Sequence, residues 1–382
     1  MFINFWYAAE WSRQLTDQPV RVRMLGQDFV LFRDSDGNAR CLSNTCIHRG
    51  GSLGSGKLRG DCVQCPYHGW EFDGDGKCRK IPSLGTGAKI PGRARVDAYP
   101  TQERYGIVFA FLGDLPEVDR PPLMDIPEYG EAGWHATTQE RRAGDDYRRQ
   151  VENALDPAHN EFVHPTHGFS GDRDDYRVPE LRIEEDEWSS GFITQYFAPP
   201  LKDEKMKAAS GRSEDAVIEA GSSHHGPSAI CTKIHPTAEV FIHQHVFKTP
   251  IDEQHTRTFL VQTRNFLLGA ENDDRFLERN DVVAGQDAVV LAELQPALTP
   301  ETNRHEFLLP ADEAVVRYRE KLARWEANGW RIDADSMARN SRRVAYAIPS
   351  PARRERPAGW ILDSVPLLPG DGRNATVVSD TG

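Results

Sequence analysis

Two short stretches carry residues that bind metals. Cys46-Ile47-His48 and Cys65-Pro66-Tyr67-His68 form a Cys-x-His and a Cys-x2-His with sixteen residues between them. Two thiolates and two imidazoles suit a zinc ion or an iron-sulfur cluster. Structural zinc sites of the usual kind take like pairs, two Cys from one knuckle and two His from the other. Here each loop carries one of each. That mixture is what a [2Fe-2S] centre needs when two His replace two Cys on one iron, because each loop then serves both irons. Gly50, Gly51 and Gly69 would let the backbone approach such a cluster and turn amides to its sulfurs, although turn glycines are also ordinary.

A second set lies downstream, in the run Val151-Glu152-Asn153-Ala154-Leu155-Asp156-Pro157-Ala158-His159-Asn160-Glu161-Phe162-Val163-His164-Pro165. His159 and His164 with one carboxylate would make the facial triad of a non-heme Fe(II) site, leaving positions open for oxygen. Five residues apart on a regular helix, however, the two rings point about 140° from each other. Either a π-bulge aligns them or the helix unwinds at His164, because a residue before proline is biased away from the helical region. Asp156 before Pro157 reads as a helix N-cap. The carboxylate is expected on an amphipathic helix over 275–294, where Asp287 has Val283, Ala284, Val290 and Leu291 three and four positions away and would need a partner if buried. Asp281 and Glu293 are the alternatives, as is a structural pairing of Asp287 with an arginine.

Two other patterns are weaker. Gly51-x4-Gly56-Lys57 matches most of a phosphate-binding loop, but Leu58 stands where Ser or Thr would hold magnesium. Cys62-x2-Cys65 looks like a redox dithiol, yet Cys65 already belongs to the Cys-x2-His, and Cys62 reads as a small neighbour.

The elements that must position these residues follow from patterning. The 382 residues suit two domains, a small one and a larger one. Segments 20–24, 29–33, 39–43, 70–72 and 105–112, separated by turns such as Asp36-Gly37-Asn38 and Asp73-Gly74-Asp75-Gly76, read as antiparallel strands of an all-β module with its ligands on hairpin tips. Pro116, Pro121, Pro122 and Pro127 mark a linker. The expected border gives domains 1–117 and 118–382. In the second, 188–197, 238–247 and 256–264 read as strands. One face of 241–247 would carry Phe241, His243, His245 and Phe247, which suits a ligand cavity or a half-buried strand with bonded histidines; in the opposite register Gln244 faces the cavity. Residues 202–226 read as a loop and possible lid with solvated His224 and His225. A helix is expected from 311 to Trp325, then a Pro- and Arg-rich extension over 349–372 that could wrap a neighbour.

Bulk composition narrows the class. With 38% hydrophobic and 27% charged residues, no window approaches the ~18 to 20 apolar residues of a membrane span. The net charge of −12 disfavours a nucleic-acid partner. Met1 to Trp11 lacks the basic leader and small-residue cleavage site of a signal peptide, and six cysteines suggest no disulfide framework, so a cytoplasmic enzyme is expected. No dinucleotide-binding Gly-x-Gly-x2-Gly follows a strand, so nicotinamide electrons would have to enter through a separate reductase, with a ferredoxin as a further carrier.

The paired Cys/His loops resemble the Rieske family. Rieske proteins of respiratory chains add a cysteine to each loop; Gly51 and Tyr67 stand at those places here, which points to the oxygenase branch. With Asp156-x2-His159-x4-His164 included, the chain resembles the α-subunit of a Rieske non-heme iron oxygenase, within the phthalate, vanillate and dicamba oxygenase group. The resemblance implies an α+β fold, an N-terminal all-β [2Fe-2S] domain and a C-terminal helix-grip catalytic domain of antiparallel sheet with helices. It implies that Cys46, His48, Cys65 and His68 hold the cluster and that His159, His164 and Asp287 hold Fe(II). Asp156 would bridge His68 of one subunit to His159 of the next in a trimer, Asn153 would lie near the iron, and a histidine near His245 would touch substrate. The implied activity is monooxygenation of a small aromatic compound, including O- or N-demethylation; cis-dihydroxylation and a Rieske electron-transfer protein are the alternatives.

Overall fold

In the computed structural model, residues 1–197, 204–211 and 217–370 are described. The chain divides into two compact units, one formed by Met1–Leu123, Thr249–Asp252 and Arg324–Gly382, the other by Met124–Lys248 and Glu253–Ala323. The division falls at Leu123, a few residues beyond the expected border. More consequentially, the span 118–382 is not one unit, because the chain from Arg324 belongs with the first.

The first unit is built on three antiparallel sheets. One orders Phe5–Trp11, Ile107–Leu112 and Thr101–Arg104; another orders Val20–Met24, Gln27–Arg33, Ala39–Ser43 and Ala98–Tyr99; the third orders Lys57–Arg59, Cys62–Gln64, Glu71–Asp73 and Cys78–Lys80. Val30, Phe32, Leu42, Val63 and Phe72 are fully buried between the last two sheets, and Cys46 and Cys65 belong to the same apolar cluster. The loops bearing the expected cluster ligands are therefore tied to a closed core at their first residue. The phosphate-loop-like stretch forms a 3-10 turn, Leu53–Ser55, leading into the strand Lys57–Arg59. That offers no helix N-terminus for a phosphate.

The tail folds back on this unit. Ile3 N–H donates to the Trp330 carbonyl at 2.8 Å and Ile332 N–H to that of Met1 at 2.9 Å, while Tyr346–Ala347 and Asp363–Ser364 pair as short parallel strands. Arg353 clamps the fully buried Asp97 through Nε and an Nη at 2.6 and 2.7 Å, and Ser350 Oγ donates to the same carboxylate at 2.8 Å. The extension that could wrap a neighbour thus forms part of its own unit's wall; residues 371–372 of it lie outside the described residues.

In the second unit a seven-stranded antiparallel sheet runs in the order His135–Ala143, Thr256–Arg264, Ile242–Pro250, Ala229–His235, Val217–His225, Ser189–Phe197 and Arg182–Glu185. Helices Tyr147–Leu155, Asn160–Val163 and Asp273–Leu291 carry the second set of candidate ligands or flank them. Within 202–226, expected as a loop, Glu204–Ser210 is helical and Val217–His225 is a central strand, while 202, 203 and 212–216 lie outside the described residues. His224 is fully buried, with Ser190 Oγ 2.8 Å from its Nε2 and the Gly226 carbonyl 2.9 Å from its Nδ1. Its strand, Val-Ile-Glu-Ala-Gly-Ser-Ser-His-His, has no alternation of large apolar residues. Small and polar side chains fill both faces, which is why period-two patterning does not reveal it.

Replacing Arg353 by Met should leave the Asp97 carboxylate buried without its cation. An uncompensated buried charge costs about 3–5 kcal/mol. Denaturant unfolding should show that loss for Arg353→Met, partly recovered in the Asp97→Asn/Arg353→Met double variant; an unchanged midpoint would remove the clamp's structural role.

Candidate metal centres

The two cysteine-bearing loops are closed in the same way. Cys46 N–H donates to the Gly51 carbonyl and Cys65 N–H to that of Trp70, each at 2.8 Å, and in return Gly50 N–H reaches the Cys46 carbonyl at 2.9 Å and Gly69 N–H that of Cys65 at 3.0 Å. The residue four beyond each cysteine is a glycine, with φ of 73° at Gly50 and 71° at Gly69, a conformation that side-chain-bearing residues adopt at a cost. Each turn thus folds its histidine over its own cysteine, and His48 and His68 come to a ring separation of 4.4 Å. Trp70 stacks on His48 at 4.7 Å, and Tyr67 packs on His68 at 3.9 Å.

All four expected cluster residues converge. A Cβ on Gly51 would stand 2.8 Å from Cys65 Sγ, so the glycine is needed for the loops to approach. Cys46 and Cys65 are buried, whereas His48 and His68 are exposed. Burial, and after it the neighbouring Cys65, pushes the Cys46 thiol up to about 12. A thiol so placed becomes a thiolate only with a cation among its ligands. The donor set, the glycine cradle and the buried sulfurs fit a [2Fe-2S] cluster with its cysteine side inward. Cys62, by contrast, lies on a strand opposite Asp73, half-buried and outside this convergence.

In the second unit, Tyr147–Leu155 ends at Asp156, whose φ and ψ of −100° and 106° are extended. The expected helix start at Pro157 is therefore a turn. Asp156 Oδ1 accepts the Ala158 N–H at 2.7 Å, and one helical turn, Asn160–Val163, follows between His159 and His164. At His164 the chain has left the helical region (φ −113°, ψ 69°), so unwinding before Pro165, and no π-bulge, brings the rings together.

His159 Nε2, His164 Nε2 and Asp287 Oδ1 form a tight triangle: 3.1 Å between the nitrogens, 3.6 Å from His159 to the carboxylate and 3.2 Å from His164. Metal–ligand bonds of about 2.1 Å at right angles give ligand separations of about 3.0 Å, so these three atoms match one face of an octahedron. The hydrogen bonds behind them point the same way. His159 Nδ1 donates to the Asp156 main-chain carbonyl at 2.5 Å and His164 Nδ1 to Gln286 Oε1 at 3.1 Å, while Gln286 itself donates to Thr166 Oγ1. With both Nδ1 atoms donating, neutral rings turn their Nε2 lone pairs toward each other, an arrangement that a bound cation resolves. Asp287 Oδ1 is buried with no hydrogen-bond partner of its own. Burial raises the Asp287 carboxyl, but His164, His159 and a hydrogen bond from Asn153 outweigh it and hold the group below its usual range. Burial pulls His159 down, whereas at His164 the adjacent Asp287 outweighs burial and raises the ring.

Asp287 sits on Asp273–Leu291 as expected, but the apolar residues around it are only partly inward. Phe276, Asn280 and Leu291 are the buried positions, and Val290 is 43% exposed. Asn280 and Asp287, seven apart, share the sheet-facing side. The Asp156 carboxylate stands 3.9 Å from His159 Nδ1 and does not accept its hydrogen, because the carbonyl of the same residue does. Gln286 went unread in the sequence; its neighbour Asp287 drew attention as a charge, and an amide next to it carries no pattern.

The four residues expected to line a substrate cavity are on the other side of the sheet. Gln244 Nε2 donates to Asn280 Oδ1 of the long helix at 3.0 Å, and Asn280 Nδ2 donates to Gln262 Oε1 at 2.8 Å. Alternation then turns Phe241, His243, His245 and Phe247 away from that helix, and His243 and His245 instead meet Glu128. The opposite register, with Gln244 on the metal side, is the one adopted.

Removing the Gln286 acceptor should loosen His164. Loss of an outer hydrogen-bond partner typically lowers metal affinity about 10–100-fold. Competition with a chelator should show that loss of iron affinity for Gln286→Leu, with the [2Fe-2S] absorbance unchanged; wild-type iron retention would assign Gln286 no orienting role.

Sequence and fold comparisons match both parts of the chain. A family model described as the Rieske [2Fe-2S] domain matches residues 5–100, and one described as the vanillate O-demethylase oxygenase C-terminal domain matches 145–328. The chain is 29% identical over 343 residues to the chloroplastic chlorophyllide a oxygenase of Chlamydomonas reinhardtii, covering 83% of this chain and 47% of the relative. It is 36% identical over 173 residues to the oxygenase component of chloroacetanilide N-alkylformylase from Rhizorhabdus wittichii, covering 43% of this chain and 47% of the relative. It thus spans about half the length of these curated relatives. In fold it is similar to Pseudomonas putida CBB5 NdmA with caffeine, at a TM-score of 0.71 and 22% identity, covering 85% of this chain and 91% of that one. No helix among the described residues is long and apolar enough to cross a membrane. With the two matched domains in order along most of its length, each enclosing one of the two ligand sets, the chain belongs to the Rieske non-heme iron oxygenases.

Proposed function

We propose that this chain is the terminal oxygenase component of a system in which a separate NAD(P)H-dependent reductase, directly or through a ferredoxin, supplies electrons for monooxygenation of a small aromatic substrate, by hydroxylation or by O- or N-demethylation, in the cytoplasm. The observation that carries this reading is the triangle of His159 Nε2, His164 Nε2 and Asp287 Oδ1, three ligand atoms on one side only. Three protein ligands leave coordination positions for oxygen, as a closed structural site does not. When bound, the [2Fe-2S] cluster would supply single electrons and the Fe(II) the activation of O2.

The residues of the chain divide that work. Cys46 and Cys65 anchor the cluster in the core, and the exposed His48 and His68 give it an accessible edge toward electron partners. The Asp156 carbonyl and Gln286 hold the iron histidines in the ligating tautomer, and Asn153 steadies Asp287. Substrate would lie on the helix side of the sheet, where Gln244, Gln262 and Asn280 present amides. Asp156, whose carboxylate lies within 4 Å of His159, is suited to link that ring to His68 of a neighbouring subunit in a trimer. The vanillate O-demethylase domain match and the N-alkylformylase relative favour attack on a methyl or alkyl substituent over ring cis-dihydroxylation.

Three measurements test the reading. Metal analysis should find both the cluster and a mononuclear iron; a cluster alone would make this an electron-transfer protein. Turnover under labelled O2, with aromatic and methylated compounds screened for stimulated O2 uptake, should place one labelled atom in the hydroxylated product or intermediate, whereas two would establish cis-dihydroxylation. Asp156→Asn should retain both metals yet lose turnover by about 10–100-fold, the range for outer partners of metal ligands. Full activity in a metal-replete variant would refute the bridging role.

A further inference from the structure

A second pair of facing imidazoles lies on the sheet face turned away from the iron-site helices. His235 ends the strand Ala229–His235, His243 lies on the adjacent strand Ile242–Pro250, and their Nε2 atoms are 3.1 Å apart. Each ring is held from behind by a carboxylate: His243 Nδ1 is 2.7 Å from Glu128 Oε1, and His235 Nδ1 is 3.3 Å from Glu219 Oε1. Ionised carboxylates only accept, so each Nδ1 carries its ring's hydrogen. Two neutral rings then aim lone pairs at each other, which is stable only with a proton or a metal ion between them.

The iron triad shows the same arrangement in this chain, with the same 3.1 Å between Nε2 atoms and both Nδ1 atoms donating to oxygen. Carboxylate-backed histidines are also the usual second layer of transition-metal sites. Here that layer is fixed further. Glu128 Oε1 is 2.9 Å from both His245 Nε2 and Thr263 Oγ1, and His245 Nδ1 is buried without a partner. Ligand-type atoms of Glu128, His243 and His245 lie within 4.8 Å of one another. Trp134 covers His243 at 5.2 Å, and Phe241 meets His235 edge-on at 4.6 Å, giving the pair an apolar surround.

We propose that His235 and His243 form a second metal site, separate from the iron triad, that binds a borderline divalent ion of the zinc type through their Nε2 atoms, with Glu219 and Glu128 orienting the rings and water completing the shell. Two imidazoles favour zinc, copper or nickel over magnesium or calcium. Two carboxylates behind them balance the charge of a divalent ion. Such an ion would clip the strands Ala229–His235 and Ile242–Pro250 together and tie both to the Glu128 segment.

The experiment uses the cluster- and iron-loaded protein, equilibrated with zinc and passed through a desalting column before metal counting, with cobalt as a spectroscopic probe. One zinc per chain beyond the iron is expected, present in Asp287→Ala and absent in His235→Gln. Glu219→Gln should keep the site but weaken zinc binding about 10–100-fold. The His235 side chain is 25% exposed, so its replacement should leave the fold intact, and circular dichroism checks this. Zinc content unchanged in folded His235→Gln, or zinc lost in Asp287→Ala, would overturn the proposal. So would a histidine pair that takes up a proton on acidification, followed by NMR, while binding no zinc; a cobalt spectrum altered by Glu219→Gln would support the site independently of any variant of the ligands themselves.

Discussion

Two imidazole nitrogens forced to face each other at 3.1 Å, with their other nitrogens already donating, cannot rest as neutral groups. That constraint organises the iron side of the second unit. The helix Tyr147–Leu155 must stop at Asp156 so that its carbonyl is free for His159, the chain must unwind at His164 for the second ring to turn in, and the long helix must bring Gln286 and Asp287 up as adjacent residues, one to hold a ring and one to complete the triangle. A proton or a metal ion held between the rings relieves that repulsion, so metal affinity and local stability are coupled.

The first unit solves a different problem with a repeated device. Its sulfurs are anchored in an apolar cluster while the histidines reach solvent, and two glycines at equivalent positions of two turns allow both. A thiolate is stabilised by burial only when a cation is present, whereas an imidazole tolerates water. The orientation of the four ligands therefore follows from what each can endure, with the redox edge left facing outward.

Much of this was legible in the sequence because the residues concerned are chemically rare. Cys46, His48, Cys65 and His68 announce themselves by type and spacing, and His164 before Pro165 indicates an unwinding that the structure displays. What failed depended on parity or on common residues. A single-residue register choice decides whether His243 or Gln244 faces the iron helix, and aromatic residues on one face were a poor guide to it. Val217–His225 hid as a strand because its faces are filled by Gly, Ser and His. Asp156 reads as a cap for a helix that does not form there, and its carbonyl, which no sequence pattern reports, is what holds His159 Nδ1. The tail's place in the first unit was illegible for a different reason: its contacts, such as Arg353 to Asp97, span more than two hundred residues, beyond the reach of local patterning.

That tail bears on the order in which the protein is made. The cluster loop Cys46–Gly50 is bordered by Arg343, Val344 and Ala345 and by Ile361, Leu362 and Asp363. During synthesis the ligands emerge early, but the segments that wall their loop are among the last described residues to leave the ribosome. The second unit, complete at Ala323, has its full complement of chain before the first does. Domains that fold as units during translation usually finish from the N-terminus. Here the first unit must wait for residues 343–363, and an iron-sulfur cluster would meet its finished surroundings only once those have been made.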